Sequence, residues 1–203
     1  MKKPVKIGIV CECGPAGAEV QVFPKLVRQF APRLVLDCVP LGNLPKLIQD
    51  CGKTTSNLLA RGCKRVVIVW DLYPAWREEG IRPCRHEHKE GIFAALRAED
   101  VNLSRVSLVC IRQELEAWLI ADGRAVSKVV STDAHPVQIK DWKKPETLQK
   151  PKTELTKVFQ HHIHRLYLDR QDAVKIVDAL PDLKRLDKIP AFSRFRQKIL
   201  GEN

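Results

Sequence analysis

The chain has 203 residues, 44% of them apolar, which is enough for a buried core and excludes wholesale disorder. Lys and Arg number 35 against 24 Asp and Glu, and the formal charge of +11 favours an acidic-polymer partner, most simply nucleic acid. Aromatic residues make up only 6%, too few for a long single-strand stacking platform, and no apolar run reaches the roughly 20 residues that span a bilayer.

The start, Met1 to Pro4 and then Val5 to Val10, begins like a secretory signal. Its apolar run is too short and meets Glu12 with no small-residue cleavage site, so Val5–Cys11 is predicted as a first buried strand. Ala18–Phe30 follows as a helix, with Val22, Leu26 and Phe30 on one face. Arg33–Val39 reads as a second strand and Leu44–Ala60 as a second helix. Inside that helix, Cys51-Gly52-Lys53-Thr54-Thr55 imitates the end of a P-loop. Leu47 stands where the first glycine is required and no strand leads into the segment, so nucleotide binding there is rejected.

Arg65–Trp70 is the third strand. The loop from Leu72 to His88, with Pro74, Trp76 and Pro83, is placed to contact a substrate or partner. Its Cys84, His86 and His88 lack a second pair at structural-zinc spacing, so an exposed loop end is preferred to a zinc site. A reach of His86 or His88 toward the strand ends is the middle case. Glu87–Ala98 is the third helix, Arg105–Ile111 the fourth strand, and Glu114–Ala121 starts a further helix with Asp122-Gly123 as its stop.

Residues 1–130 thus read as an α/β domain. Ser131–Lys152 is Lys- and Pro-rich, a linker or mobile loop. Residues 153–203 form a basic helical region expected to pack on the domain, with helices over Thr153–Gln160, Asp169–Leu180 and Ala191–Leu200. Asp169 is the predicted N-cap of the second, whose apolar face is Val174, Val177 and Leu180. Between Lys140 and Leu200, 15 basic residues face 8 acidic ones. That suits a phosphate-contacting surface, although a solvated Lys-rich face accounts for the charge equally well. Trp118 is assigned to the core and Trp142, among Asp141, Lys143 and Lys144, to stacking on a base. His161, His162 and His164 are left outside any site. Seven cysteines, an odd number, several in apolar runs, suit reduced thiols in a cytoplasmic protein; Cys11 and Cys13 read as buried apolar residues.

Strands alternating with helices predict a mainly parallel four-stranded sheet flanked by helices, whose ligands sit at the carboxyl ends of the strands. Glu12, Asp71, Glu114 and Glu116 follow strands one, three and four. Carboxylates gathered there repel one another unless a cation neutralises them, and Mg²⁺ (or Mn²⁺) is the natural choice beside phosphodiesters. The bland alternative has one or two of these acids capping helices or pairing with Arg, as Glu114 could with Arg112.

The stretches Lys6–Gly14, Arg65–Tyr73 and Arg112–Asp122, the last reading R-Q-E-L-E-A-W-L-I-A-D, resemble the TOPRIM fold. More narrowly they resemble small TOPRIM-like proteins of a bacterial domain-of-unknown-function family, often encoded beside ATPases in phage-defence islands. The C-terminal P-K-x-x-L, Tyr-Leu-Asp-Arg and A-F-S-R-F stretches fit as well. TOPRIM domains of topoisomerases, primases and overcoming-lysogenisation-defect nucleases use a Glu after strand one and a D-x-D after strand three, with Mg²⁺. The resemblance implies that Glu12 is a general acid/base or metal ligand, that Asp71 and Glu116 are metal ligands, and that Glu114 and Glu19 support them. Asp122 closes the Glu116 motif. Tyr73 occupies the place of the second Asp, and a phenol is a poor ligand for Mg²⁺. The expected function is therefore a Mg²⁺-dependent nuclease on DNA or RNA, with nucleic acid and an ATPase as partners, no membrane, and a homodimer allowed for. The alternative is a degenerate module that binds nucleic acid or the ATPase without cleavage.

Overall fold

Period-two alternation decides which strand residues face which helices. Strand β1 (Lys6–Cys11) sends Ile7, Ile9 and Cys11 to one face and Val10 to the other. The computed structural model describes residues 4–72 and 84–202. The loop carrying Tyr73, Pro74, Trp76 and Pro83 therefore lies outside the described residues.

Strands β2 (Val35–Pro40), β3 (Arg65–Asp71) and β4 (Val106–Ile111) complete an all-parallel sheet in the order β2-β1-β3-β4. Helix α2 (Leu44–Ala60) and helix α3 (Arg85–Ala98) cover the face of Val10, Val66, Ile68 and Trp70. Helix α1 (Ala18–Phe30) covers the opposite face, where Ile9, Val67, Val69 and Val109 meet it. The sheet is thus buried on both sides, as its unbroken Val/Ile runs require.

Local chemistry explains the boundaries. Asn43 caps α2 by accepting the Lys46 N–H at 3.1 Å, with Pro45 in the first turn. Gly52 is demanded by a helix crossing, not by a phosphate: a Cβ there would lie 2.1 Å from the Ala95 carbonyl oxygen of α3. Helix α3 begins two residues before the predicted start, and the Trp70 indole N–H donates to His88 Nδ1 at 3.2 Å. That bond ties His88 to β3's opposite face rather than to the acidic rim.

Beyond β4 the chain departs from expectation. The predicted helix over Glu114–Ala121 shrinks to α4 (Glu116–Leu119). Asp122 does not stop a helix; it starts α5 (Gly123–Val130), accepting the Arg124 N–H at 3.0 Å while pairing with the Arg124 guanidinium. Its buried carboxyl is thus a structural cap, held below its ordinary pKa by Arg124. Of the predicted linker 131–152, residues 131–150 run without regular structure apart from a 3₁₀ turn at Pro145–Thr147, yet Val137, Ile139, Trp142 and Leu148 pack on the core; Pro151 and Lys152 already belong to the next helix. A Cβ on Gly123 would stand 2.3 Å from the Ile139 carbonyl oxygen, so glycine permits that close contact.

Helices α6 (Pro151–Ile163), α7 (Val174–Ala179) and α8 (Pro190–Leu200) follow, a π turn over Asp169–Ala173 leading into α7. They share one apolar cluster with the α1 face of the sheet. Trp118, Phe23, Phe192 and Phe195 form its centre, with ring centroids 5.2–6.3 Å apart in the contacting pairs. Asp169 does not cap this turn; it bonds the Arg170 N–H and the Lys152 ammonium. The backbone anchor is Asp172, fully buried, which takes two bonds from Arg165 at 2.6 and 2.7 Å and one from the Leu168 N–H at 2.8 Å.

Burial opposes the charge of Asp172, but Arg165 and the Leu168 N–H outweigh it and hold the pKa below the usual carboxylate range. A lowered folded-state pKa stabilises above the unfolded value and loses that contribution as pH falls. Asp172→Ala should therefore destabilise the protein by about 3 kcal/mol at neutral pH. The difference from the parent should narrow below about pH 4, where the unfolded carboxyl titrates. Denaturant titrations of both proteins at pH 7 and pH 3.5 check this.

Candidate functional site

The strand order creates one switch point, between β1 and β3, where successive connections leave in opposite directions. Ligands of open α/β sheets gather there. Glu12 directly follows β1 and Asp71 ends β3. The Glu12 N–H donates to the Val69 carbonyl at 3.1 Å, extending the β1–β3 ladder by one residue. The Asp71 N–H then donates to Glu12 Oε2 at 3.2 Å. Two residues distant in sequence are thereby locked side by side.

Asp71 has the parity of Val67 and Val69 and so lies on the α1 side of the sheet. Glu19 stands in the first turn of α1 and Glu116 opens α4. Gln113 adopts a left-handed backbone (φ 72°), which turns the chain sharply between β4 and α4. Beyond that turn Glu114 does not pair with Arg112; Glu114 Oε1 accepts the Lys152 N–H at 2.7 Å.

The electrostatics show how closely the acids are gathered. Burial pushes Asp71 well above the carboxylate range, and the negative charges of Glu19, Glu12, Glu116 and Glu114 push it further. Burial also raises Glu12 to about 7, against the opposing N–H groups of Asp71 and Leu44. Glu116, 6% exposed, is pushed up to about 8 by burial and then by Glu114. Glu19 and Glu114 are raised by burial too, each partly relieved by hydrogen bonds. The sequence-predicted quintet Glu12, Glu19, Asp71, Glu114 and Glu116 therefore shares one neighbourhood; Asp122 does not belong to it.

Lys152 and Tyr167 join the acids. Lys152, at the start of α6, donates from Nζ to Asp169 Oδ2 at 2.8 Å, and the charges of Asp169, Glu116 and Glu114 hold its pKa up against burial. The Tyr167 hydroxyl is buried without a hydrogen-bond partner among the described residues, its pKa raised by burial and then by Glu116. The sequence signals for these residues were the P-K-x-x-L and Tyr-Leu-Asp-Arg stretches, which mark the resemblance without showing a position. Cys11 and Cys13 are buried with sulfurs 3.6 Å apart, and all seven cysteines are free thiols.

Hard carboxylate oxygens are the donors that Mg²⁺ selects. Among the described residues no three His, Cys, Asp or Glu side chains stand together in ligating geometry. The donor chemistry thus fits an ion held by one or two carboxylates, water and substrate phosphate, the usual Mg²⁺ mode, and not a closed protein cage. No described helix is long and apolar enough to cross a membrane.

Fold and site define a doubly wound α/β protein with an acidic switch point and a helical C-terminal region. The chain belongs to the family described as domain of unknown function DUF4276, whose model matches residues 19–200. That span includes Glu19, Asp71, Glu114, Glu116 and Lys152, while β1 and Glu12 precede it. Comparison with curated proteins and with solved structures found no match.

Proposed function

We propose that this protein is a TOPRIM-like nuclease that uses Mg²⁺ or Mn²⁺ to cleave phosphodiesters of DNA or RNA. The observation that carries this is the burden on Asp71, a switch-point carboxyl crowded by four others inside a chain of charge +11. A binder of polyanions gains nothing from clustered acids, whereas a cation makes them useful. One or two of Asp71, Glu12 and Glu116 would hold the ion together with water and substrate phosphate, with Glu114 and Glu19 in support. When bound, it would neutralise phosphate charge and lower the pKa of an attacking water. Glu12, whose Oε2 accepts the Asp71 N–H, would serve either as a ligand of the ion or as the general acid/base. Lys152 keeps a positive charge beside Glu114 and Glu116, and the basic C-terminal region grips flanking phosphates. A cytoplasmic setting, a role in anti-phage defence and an ATPase partner rest on the resemblance and on the free thiols.

A second reading, a degenerate module that binds without cleaving, is favoured by one observation: no three donors converge among the described residues. Incubating labelled DNA and RNA with Mg²⁺, Mn²⁺ or chelator separates the two. The nuclease cuts only with metal; the module binds and leaves the strands whole. Metal binding has its own readout. At a hundred times its Kd the ion should stabilise the fold by about 2.7 kcal/mol. For a chain of this size that raises Tm by about 5–10 °C in a thermal melt. An unchanged Tm in both metals counts against the site.

A further inference from the structure

Beside the acids, rather than over them, lies a cavity of ≈ 660 Å³. Its wall joins segments remote in sequence: Arg112 just past β4, Trp142 to Lys144, the 3₁₀ turn at Pro145–Thr147, and Arg185 to Pro190 leading into α8. Helix α4, which Glu116 opens, packs directly on that 3₁₀ turn, so cavity and acidic rim share a wall.

The lining is unusual in three respects. First, its charge is predominantly positive. Arg185 is paired with Asp141, but Arg112, Lys143, Lys144 and Lys188 have no carboxylate within salt-bridge distance among the described residues. Second, Trp142 packs on the core and also lines the cavity, which immobilises an indole at the wall. Third, Glu146 lines the cavity and carries a buried Oε1 with no hydrogen-bond partner among the described residues. A fixed aromatic surface and these four cations are the complement of one nucleotide: a base to stack and phosphate to neutralise. The volume lies within the range of small-ligand pockets and suits a single nucleotide rather than a duplex. A second cavity of ≈ 490 Å³ shares Asp141 and Arg185 and adds Lys140 and Arg124, whose guanidinium pairs with Asp122 and Asp182.

We propose that this cavity is the subsite for one unstacked nucleotide of a single-stranded DNA or RNA substrate, its base on Trp142 and beside Glu146, its phosphate among Arg112, Lys143, Lys144 and Lys188. The assignment rests on the nuclease reading for its place beside the cleavage site, but its binding chemistry stands independently. It also specifies the substrate: an end, loop or flipped nucleotide is required, because a paired base cannot enter.

The test measures binding in chelator, where no cleavage occurs. Fluorescence anisotropy is read on labelled 12-mer single strands of DNA and of RNA and on a blunt duplex. The 203-residue protein should prefer both single strands to the duplex, and the relative affinities of the two strands identify the sugar. Trp142→Ala should weaken single-strand binding about tenfold with little effect on the duplex, and Trp142→Phe should restore most of it. The Lys143→Ala/Lys144→Ala double variant should reduce the slope of log K against log salt by about 1.4 on single strands, because two lysines no longer neutralise phosphates. Circular dichroism melts check folding; if Trp142→Ala melts early, the double-lysine variant decides. Parental single-strand affinity in a folded Trp142→Ala, or an unchanged salt slope in the double-lysine variant, would overturn the subsite, as would a preference for duplex. If the protein cleaves with metal while Trp142→Ala and the double-lysine variant bind normally, the subsite fails and the nuclease stands. If it never cleaves yet they lose binding, the subsite stands and the nuclease fails.

Discussion

Asp71→Asn is expected to abolish metal-dependent cleavage, by a factor of at least about a hundred, and at the same time to leave the metal-free protein as stable as its parent or more so. The two effects have opposite signs for one physical reason. In the free protein the Asp71 carboxylate is desolvated and repelled by Glu19, Glu12, Glu116 and Glu114. A neutral amide of the same shape removes that repulsion, and its backbone N–H still bonds Glu12 Oε2. What the amide cannot supply is an anionic oxygen to hold the ion. Losing a metal's several kcal/mol of transition-state stabilisation is a loss of two or more powers of ten in rate. The Tm increase on adding Mg²⁺ should shrink in step. A structural acid would behave in the opposite way, losing stability and keeping whatever activity remained. Cleavage assays and melts of both proteins, with and without metal, distinguish these; parental cleavage rates in Asp71→Asn would refute the site.

The largest loss of stability is expected at Trp118, two residues after Glu116. Its indole is fully buried, edge-on to Phe192 at 5.2 Å and near Phe195 and Phe23 at 5.5 and 6.1 Å. It therefore fastens α4 to both α1 and α8. Trp118→Ala leaves a cavity that flanking helices cannot close without moving the sheet, and should cost about 4 kcal/mol. That is a large part of the roughly 5–15 kcal/mol by which domains are stable. The indole N–H has no partner among the described residues. Trp118→Phe deletes that unpaired donor together with some volume, so it should cost far less, about 1 kcal/mol. Urea unfolding followed by circular dichroism gives both values; an alanine variant within about 1 kcal/mol of the parent would show that the aromatic cluster is not the core's keystone.

The strands and the first two helices were legible because their signals are local. Uninterrupted Val/Ile runs mark strands buried on both faces, and Val22, Leu26 and Phe30 mark a helix face irrespective of what lies opposite. Glu12 and Asp71 were legible for a related reason: a parallel sheet brings every strand's carboxyl end to one edge. Local reasoning failed where partners were chosen across the chain. Arg112 and Glu114 are two residues apart and oppositely charged, yet the left-handed turn at Gln113 sends one to the cavity and the other to Lys152. Asp169 looked like a cap because Asp commonly is one, but Lys152 claims its carboxylate and Asp172 takes the backbone N–H instead.

Sequence alone determined that this chain builds a parallel α/β sheet, that acids follow its strands, and that the excess positive charge lies in the last third. Those properties belong to side-chain periodicity and composition, which act within a few residues. Only the tertiary structure decided that five acids crowd one switch point, that Lys152 and Tyr167 stand with them, and that Arg112, Trp142 and Lys188 wall one cavity. Each of these arrangements joins groups tens of residues apart, and such pairing is set by how helices pack on the sheet, a choice no short stretch of chain encodes.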